Sequence, residues 1–110
     1  MNMTTEEINS TVVINLDEER LDAHNSGELK VVMQKLFEDG KLSLLVDLKN
    51  VRFIDSSGLG ALVSGFKNAT ANQGTLKLSS LQPQVKSMFE LTRLHRVFEI
   101  FPTEADALGN

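Results

Sequence analysis

Residues 42–48, LSLLVDL, form a nearly unbroken apolar run in the middle of the chain. A strand of this composition has no polar face to present to water, so it is typical of a strand buried on both faces in a parallel sheet. Parallel neighbours are joined by right-handed crossover connections, which are usually helices. The run therefore predicts a layered α/β fold in which helices cover a sheet.

The segments on either side of this run support that prediction. β-branched or alternating apolar residues predict strands at 12–16, 75–81 and 96–101, with a weaker strand at 3–8. Apolar residues at helical spacing predict helices within 25–40, after Asp55 and from Pro83, followed by a helical tail at 103–108. The first two strands are too close for a crossover, so they should form a hairpin that turns at Asn9 and Ser10.

We therefore predict a single α/β domain over residues 1–110. Its sheet is mixed and mostly parallel, with four to five strands, an N-terminal antiparallel hairpin and about four helices. Residues that commonly begin or end helices stand at the expected helix boundaries. Asn25 and Glu28 have the spacing of a capping box, Gly40 supplies a stop, Pro83 suits a first helical turn and Thr103 suits a cap.

Composition excludes several classes of site and partner. The chain has no cysteine, which rules out disulfides and cysteine-based zinc sites and fits a reducing compartment. No apolar run approaches about 18 residues, and the polar, acidic start does not resemble a secretory signal, so a cytoplasmic protein without membrane attachment is expected. The net charge is −4 with scattered basic residues, so no nucleic-acid partner is expected.

The segment DSSGLG, residues 55–60, is the candidate functional motif. A catalytic serine is not expected, because G-x-S-x-G spacing is absent and nothing positions His24 or His95 as a base. Nucleotide-binding glycine motifs are incomplete, since Val63 occupies the third glycine position of G-x-G-x-x-G. We predict no enzyme activity, cofactor or metal. A phosphate-accepting serine and a simple helix cap both remain open.

The block VDLKNVRFIDSSGLGALVSGFKNA closely resembles the signature of STAS-domain anti-sigma factor antagonists, the bacterial partner-switching proteins. The segment LDAHNSGELK is similar to the part of that family that leads into the first helix, and residues 74–108 follow the family pattern almost without gaps. The resemblance covers nearly all residues from Val12 onward. It implies that the predicted fold is a single STAS domain.

The resemblance also implies a function. In this family the unphosphorylated protein binds a serine kinase that is also an anti-sigma factor, which releases the sigma factor. The kinase then phosphorylates the serine directly after the Asp, and a metal-dependent phosphatase restores it. The alternative is a STAS regulator of a non-sigma partner, in secretion, biofilm or stressosome-type signalling. A monomer is the simpler expectation.

Carried onto this chain, the resemblance makes Ser56 the phosphoacceptor. The residues expected to contact the partner are Asp22, Asn25, Ser26, Asp55, Ser57, Gly58, Leu59 and Gly60. The chain departs from the family at Glu19, where glycine is frequent. The shape and charge of that loop, and with them the choice of kinase, therefore do not follow from the resemblance.

Overall fold

The computed structural model describes residues 1–109 and confirms the predicted α/β fold. The strands are β1 (Met3–Ile8), β2 (Thr11–Leu16), β3 (Arg20–Leu21), β4 (Ser43–Asp47), β5 (Phe53–Ile54), β6 (Thr75–Ser79) and β7 (Glu99–Phe101). The helices are α1 (Ser26–Glu38), α2 (Ser56–Ala71), α3 (Pro83–Leu91) and α4 (Glu104–Ala107), with a 3₁₀ turn at Leu94–Arg96. Within this part of the chain, no helix combines the length and apolar character that crossing a membrane requires.

The main sheet has five strands in the order β1-β2-β4-β6-β7. β1 pairs antiparallel with β2, and the other pairs are parallel, as the sequence predicts. β4 is the central strand, and its Leu44, Leu45 and Val46 are fully buried. The two-sided burial that its composition predicts is thereby confirmed.

Helices α1 and α2 cover one face of the sheet and form the larger core, in which Leu29, Met33 and Leu62 are buried. Burying a side chain of this size stabilises a fold by about 1.5–3 kcal/mol. The other face carries a smaller cluster made of Val13, Leu45 and Ala107, which α4 covers. The sheet is therefore the middle layer of the domain.

The β1–β2 hairpin forms one margin of the sheet. Asn9 and Ser10, at its turn, have φ values of +50° and +69°, the left-handed conformation that two-residue hairpin turns favour. The middle of β1, from Thr4 to Glu7, is exposed. The outer edge of the sheet is thus an acidic, solvent-facing strand.

Most predicted helix ends are confirmed. The Thr103 hydroxyl accepts a hydrogen bond of 3.1 Å from the Asp106 N–H, Pro83 occupies the first turn of α3, and Gly40 has φ +83° just beyond α1. Only glycine adopts that conformation without steric cost, so Gly40 ends the helix.

The predicted capping box of α1 is wrong. Asn25 is the N-cap residue, but its side chain caps no helical N–H. Its Oδ1 accepts instead from the Asp22 N–H at 2.9 Å, and its Nδ2 donates to the Arg20 carbonyl at 2.8 Å. The Glu28 carboxylate accepts from the Met1 amino group at 2.8 Å. Asn25 therefore closes the loop that precedes α1, and Glu28 makes a long-range contact with Met1.

Candidate functional site

The DSSGLG turn is held by a small parallel sheet of its own. β5 pairs with β3, placing Leu21 beside Ile54, and the Asp55 N–H continues the pairing with a 3.3 Å bond to the Leu21 carbonyl. Asp55 is extended, and its Oδ1 accepts from the Gly58 N–H at 2.9 Å. Asp55 is therefore the N-cap of α2, a role that contributes about 0.5–2 kcal/mol.

The cap leaves both serine hydroxyls free. Ser56 and Ser57 occupy the first two positions of α2 and are exposed to solvent. Neither hydroxyl makes a hydrogen bond with any residue of the described range 1–109. A capping turn thus accounts for Asp55 but gives no role to either serine.

Gly58 and Leu59 lie beneath the surface of the turn. A Cβ atom on Gly58 would stand 2.4 Å from the Leu21 carbonyl oxygen and 2.8 Å from Cγ1 of Ile54, so only glycine lets α2 approach β3 this closely. Leu59 is 6% exposed. Gly60 is exposed, and a Cβ there would meet nothing within 4 Å. We assign Gly58 and Leu59 to packing, whereas Gly60 is exposed and stays a predicted contact residue.

The second predicted loop, Asp22 to Ser26, lies beside the turn because β3 and β5 run side by side. Asp22 and Ser26 are buried, and Asn25 is partly buried. The Asp22 carboxylate accepts from the His24 N–H at 2.9 Å and from Arg20 Nε at 3.2 Å. Asp22 and Asn25 therefore hold the loop in shape. The predicted site residues lie at one end of the domain, but Asp22 and Ser26 are buried there and so are not the surface contacts that the resemblance implies.

The contacts of Asp22 give a pH-dependent prediction. The hydrogen bond from the His24 N–H, aided by Arg20, holds the pKa of the Asp22 carboxyl below its ordinary value. A carboxyl with a lowered pKa in the folded state adds stability above its unfolded pKa, near 4, and loses that contribution as the pH falls through the folded value. We expect the stability difference between wild type and Asp22→Asn to narrow from pH 7 to pH 3.

Urea denaturation at several pH values measures this narrowing. Asp17→Asn is the matched control, because Asp17 is exposed and its carboxylate accepts no hydrogen bond within residues 1–109. A constant difference for Asp22→Asn across this pH range would contradict the prediction.

A groove of about 450 Å³ opens directly beside Ser56 and was not predicted from the sequence. Its lining residues are Arg52, Phe53, Ile54, Asp55, Ser56, Gln84 and Met88. Phe53 is 49% exposed, and the Arg20 guanidinium lies 4.2 Å from the centre of its ring. Exposed aromatic side chains and arginines are enriched at protein interfaces. The turn at residues 55–60, the groove and the loop at residues 22–26 together form one surface. We call it the switch surface, after the role that we propose for it.

Comparison with known proteins assigns the chain to a family. The STAS domain family model matches residues 2–107. A Listeria monocytogenes serovar 1/2a protein, named an anti-sigma-B factor antagonist, is 31% identical over 90 residues, covering 82% of this chain and 79% of that protein. A Paenibacillus polymyxa protein, named an anti-sigma F factor antagonist, is 27% identical over 89 residues, covering 80% and 76%.

A solved structure agrees in fold. The crystal structure of a putative anti-sigma factor antagonist from Thermotoga maritima superposes with a TM-score of 0.87 at 25% identity, covering 96% of this chain and 91% of that one. The chain therefore belongs to the STAS domain family, among the anti-sigma factor antagonists, as its sequence predicts.

Proposed function

We propose that the chain is an anti-sigma factor antagonist that works as a phosphorylation switch. Its unphosphorylated form binds a serine kinase that is also an anti-sigma factor, and this binding releases the sigma factor. The kinase transfers the γ-phosphoryl group of ATP to Ser56 Oγ, with loss of the hydroxyl proton and release of ADP. A phosphatase hydrolyses the phosphoserine and restores the binding form.

One observation carries this proposal. The Asp55 carboxylate already caps α2, so the Ser56 hydroxyl is exposed and without a structural partner. A hydroxyl in that state can enter a kinase active site without any bond of the fold being broken. The names of the relatives support an anti-sigma factor as the partner.

The exposed residues and the groove around Ser56 support docking of a partner at this serine. Ser57, Gly60 and Phe53 are exposed beside Ser56, and the groove offers an apolar recess next to the reacting hydroxyl. Adding phosphate there brings about −1.5 to −2 charges to the middle of the contact area. Burying that charge without a partner is costly, so phosphorylation separates the two proteins.

The test is to incubate the protein with a candidate serine kinase from the same genome and Mg-ATP, and then locate phosphate by mass spectrometry. We expect one phosphate on Ser56, retained in Ser57→Ala and absent from Ser56→Ala. Transfer only to another residue, or equal transfer to Ser56→Ala, would overturn the proposal. Circular dichroism of both variants controls for folding.

A further inference from the structure

One positively charged side chain lines the groove beside Ser56. Among residues 1–109, Arg52 is the only positively charged residue that lines it, on the same short segment as Ser56. The segment between them is the two-residue strand β5 followed by the extended Asp55, so the backbone joining the two side chains is fixed by its pairing with β3. Arg52 and Ser56 therefore line the same recess and are joined by a backbone segment that pairs with β3.

The Arg52 side chain is held only loosely in the unphosphorylated protein. Its Nη1 lies 4.0 Å from Oε1 of Glu19, and the two side chains are 68% and 73% exposed. An exposed pair at this distance contributes about 0–1 kcal/mol. The position of the loop itself does not depend on this pair, because the Arg52 N–H donates to the Glu19 carbonyl at 2.7 Å. The guanidinium is thus free to exchange Glu19 for a stronger anion.

The other charges around the turn are already engaged. The Asp55 carboxylate is bound to the Gly58 N–H, and the Asp22 carboxylate is bound by Arg20 and the His24 N–H. Arg20 also lies over the Phe53 ring. A phosphate on Ser56 would stand close to the Asp55 charge, and Arg52 is the groove cation left to offset it.

We propose that Arg52 is the counter-ion of phosphorylated Ser56 and that it leaves Glu19 to hold the phosphate in the groove. This inference rests on the proposed phosphorylation of Ser56. Guanidinium and phosphate form strong charge-assisted hydrogen bonds, often in pairs. The phosphate then fills the recess that a partner would otherwise occupy, so the modified switch surface is blocked by occupancy as well as by charge.

The experiment needs no kinase, because phosphoserine can be inserted at position 56 during translation. Phosphorus NMR of the purified full chain, titrated from pH 4 to pH 9, gives the second pKa of the phosphate. A cation beside the phosphate favours its dianion, so the titration curve of wild type should lie at lower pH than that of Arg52→Gln. About 1 M NaCl should reduce the difference, since it shortens the Debye length to about 3 Å.

Three further variants make the result specific. Glu19→Gly should move the curve to still lower pH, because it removes both a negative charge and the resting partner of Arg52. Arg52→Lys should restore part of the shift, since a lysine keeps the charge but loses the paired donors. Arg96→Gln, which removes an arginine that lines no part of the groove, should leave the curve unchanged.

Two results would overturn the inference: superimposable curves for wild type and Arg52→Gln, or a displacement produced by Arg20→Gln and not by Arg52→Gln. Either result leaves the kinase assay unaffected. Conversely, failure of the kinase to modify Ser56 would remove the proposed function without changing the titration.

Discussion

Ser56→Asp is expected to weaken binding to the partner kinase by about 2–4 kcal/mol, a loss of roughly 30- to 700-fold in affinity. The carboxylate would stand on the switch surface, where a bound partner removes water from it, and Arg52 would offset only part of that desolvation cost. The fold should tolerate the change, because Ser56 is exposed and a negative charge in the first turn of a helix is favourable.

Calorimetric titration of the kinase with wild type and with Ser56→Asp measures this loss. Ser10→Asp is the matched control, since it makes the same chemical change in the β1–β2 turn, at the opposite end of β2 from the switch surface. Aspartate tolerates the left-handed conformation of Ser10. Ser57→Ala should change affinity less than Ser56→Asp. Equal affinities for Ser56→Asp and wild type would reduce Ser56 to an ordinary surface residue.

Gly58→Ala is expected to destabilise the domain by about 2–3 kcal/mol. The added Cβ would collide with the Leu21 carbonyl oxygen, a backbone atom that is also the acceptor of the Asp55 N–H. Relief of the collision requires α2 to move away from β3, which is the overpacking of a close contact. Because the same contact sets the position of the cap, the change should also disturb the exposed turn.

Gly60→Ala, two residues further along α2, is the matched control. A Cβ there meets nothing within 4 Å, so alanine should stabilise the helix by about 0.5–1 kcal/mol. Urea denaturation of both variants gives the two free energies of unfolding, with opposite signs expected relative to wild type. A Gly58→Ala protein as stable as wild type would show that α2 can shift without cost.

The main sheet was predictable because its strands carry their own signals. β4 is apolar throughout, β6 alternates, and the hairpin turn is marked by Asn9 and Ser10, so local patterns agree with the final fold. β3 and β5 were not predicted, because two residues are too few to show a period and their pairing depends on a contact between distant segments. The capping box failed because Asn25 bonds to the loop before α1 and Glu28 bonds to the distant Met1 amino group.

The candidate site was predictable in part. The motif and the resemblance identified Ser56 and the neighbouring loop, which the fold brings together. They did not indicate that Gly58 and Leu59 are buried. A glycine required for close packing cannot be distinguished, from the sequence alone, from a glycine that exposes the backbone at a surface. The groove with Arg52 was also missed, since α3 contributes Gln84 and Met88 to it from a distant part of the chain.

The acidic edge strand β1 has a consequence for how copies of this protein behave at high concentration. A protein with an open sheet edge must stay dispersed when it is concentrated. Copies of a protein can associate by pairing their exposed edge strands, and charged side chains on such a strand oppose this pairing. Glu6 and Glu7 lie on β1, far from the switch surface, with Glu7 bound to Lys41 at 3.0 Å. The charged edge that opposes self-association and the proposed phosphorylation site therefore lie in opposite parts of the molecule.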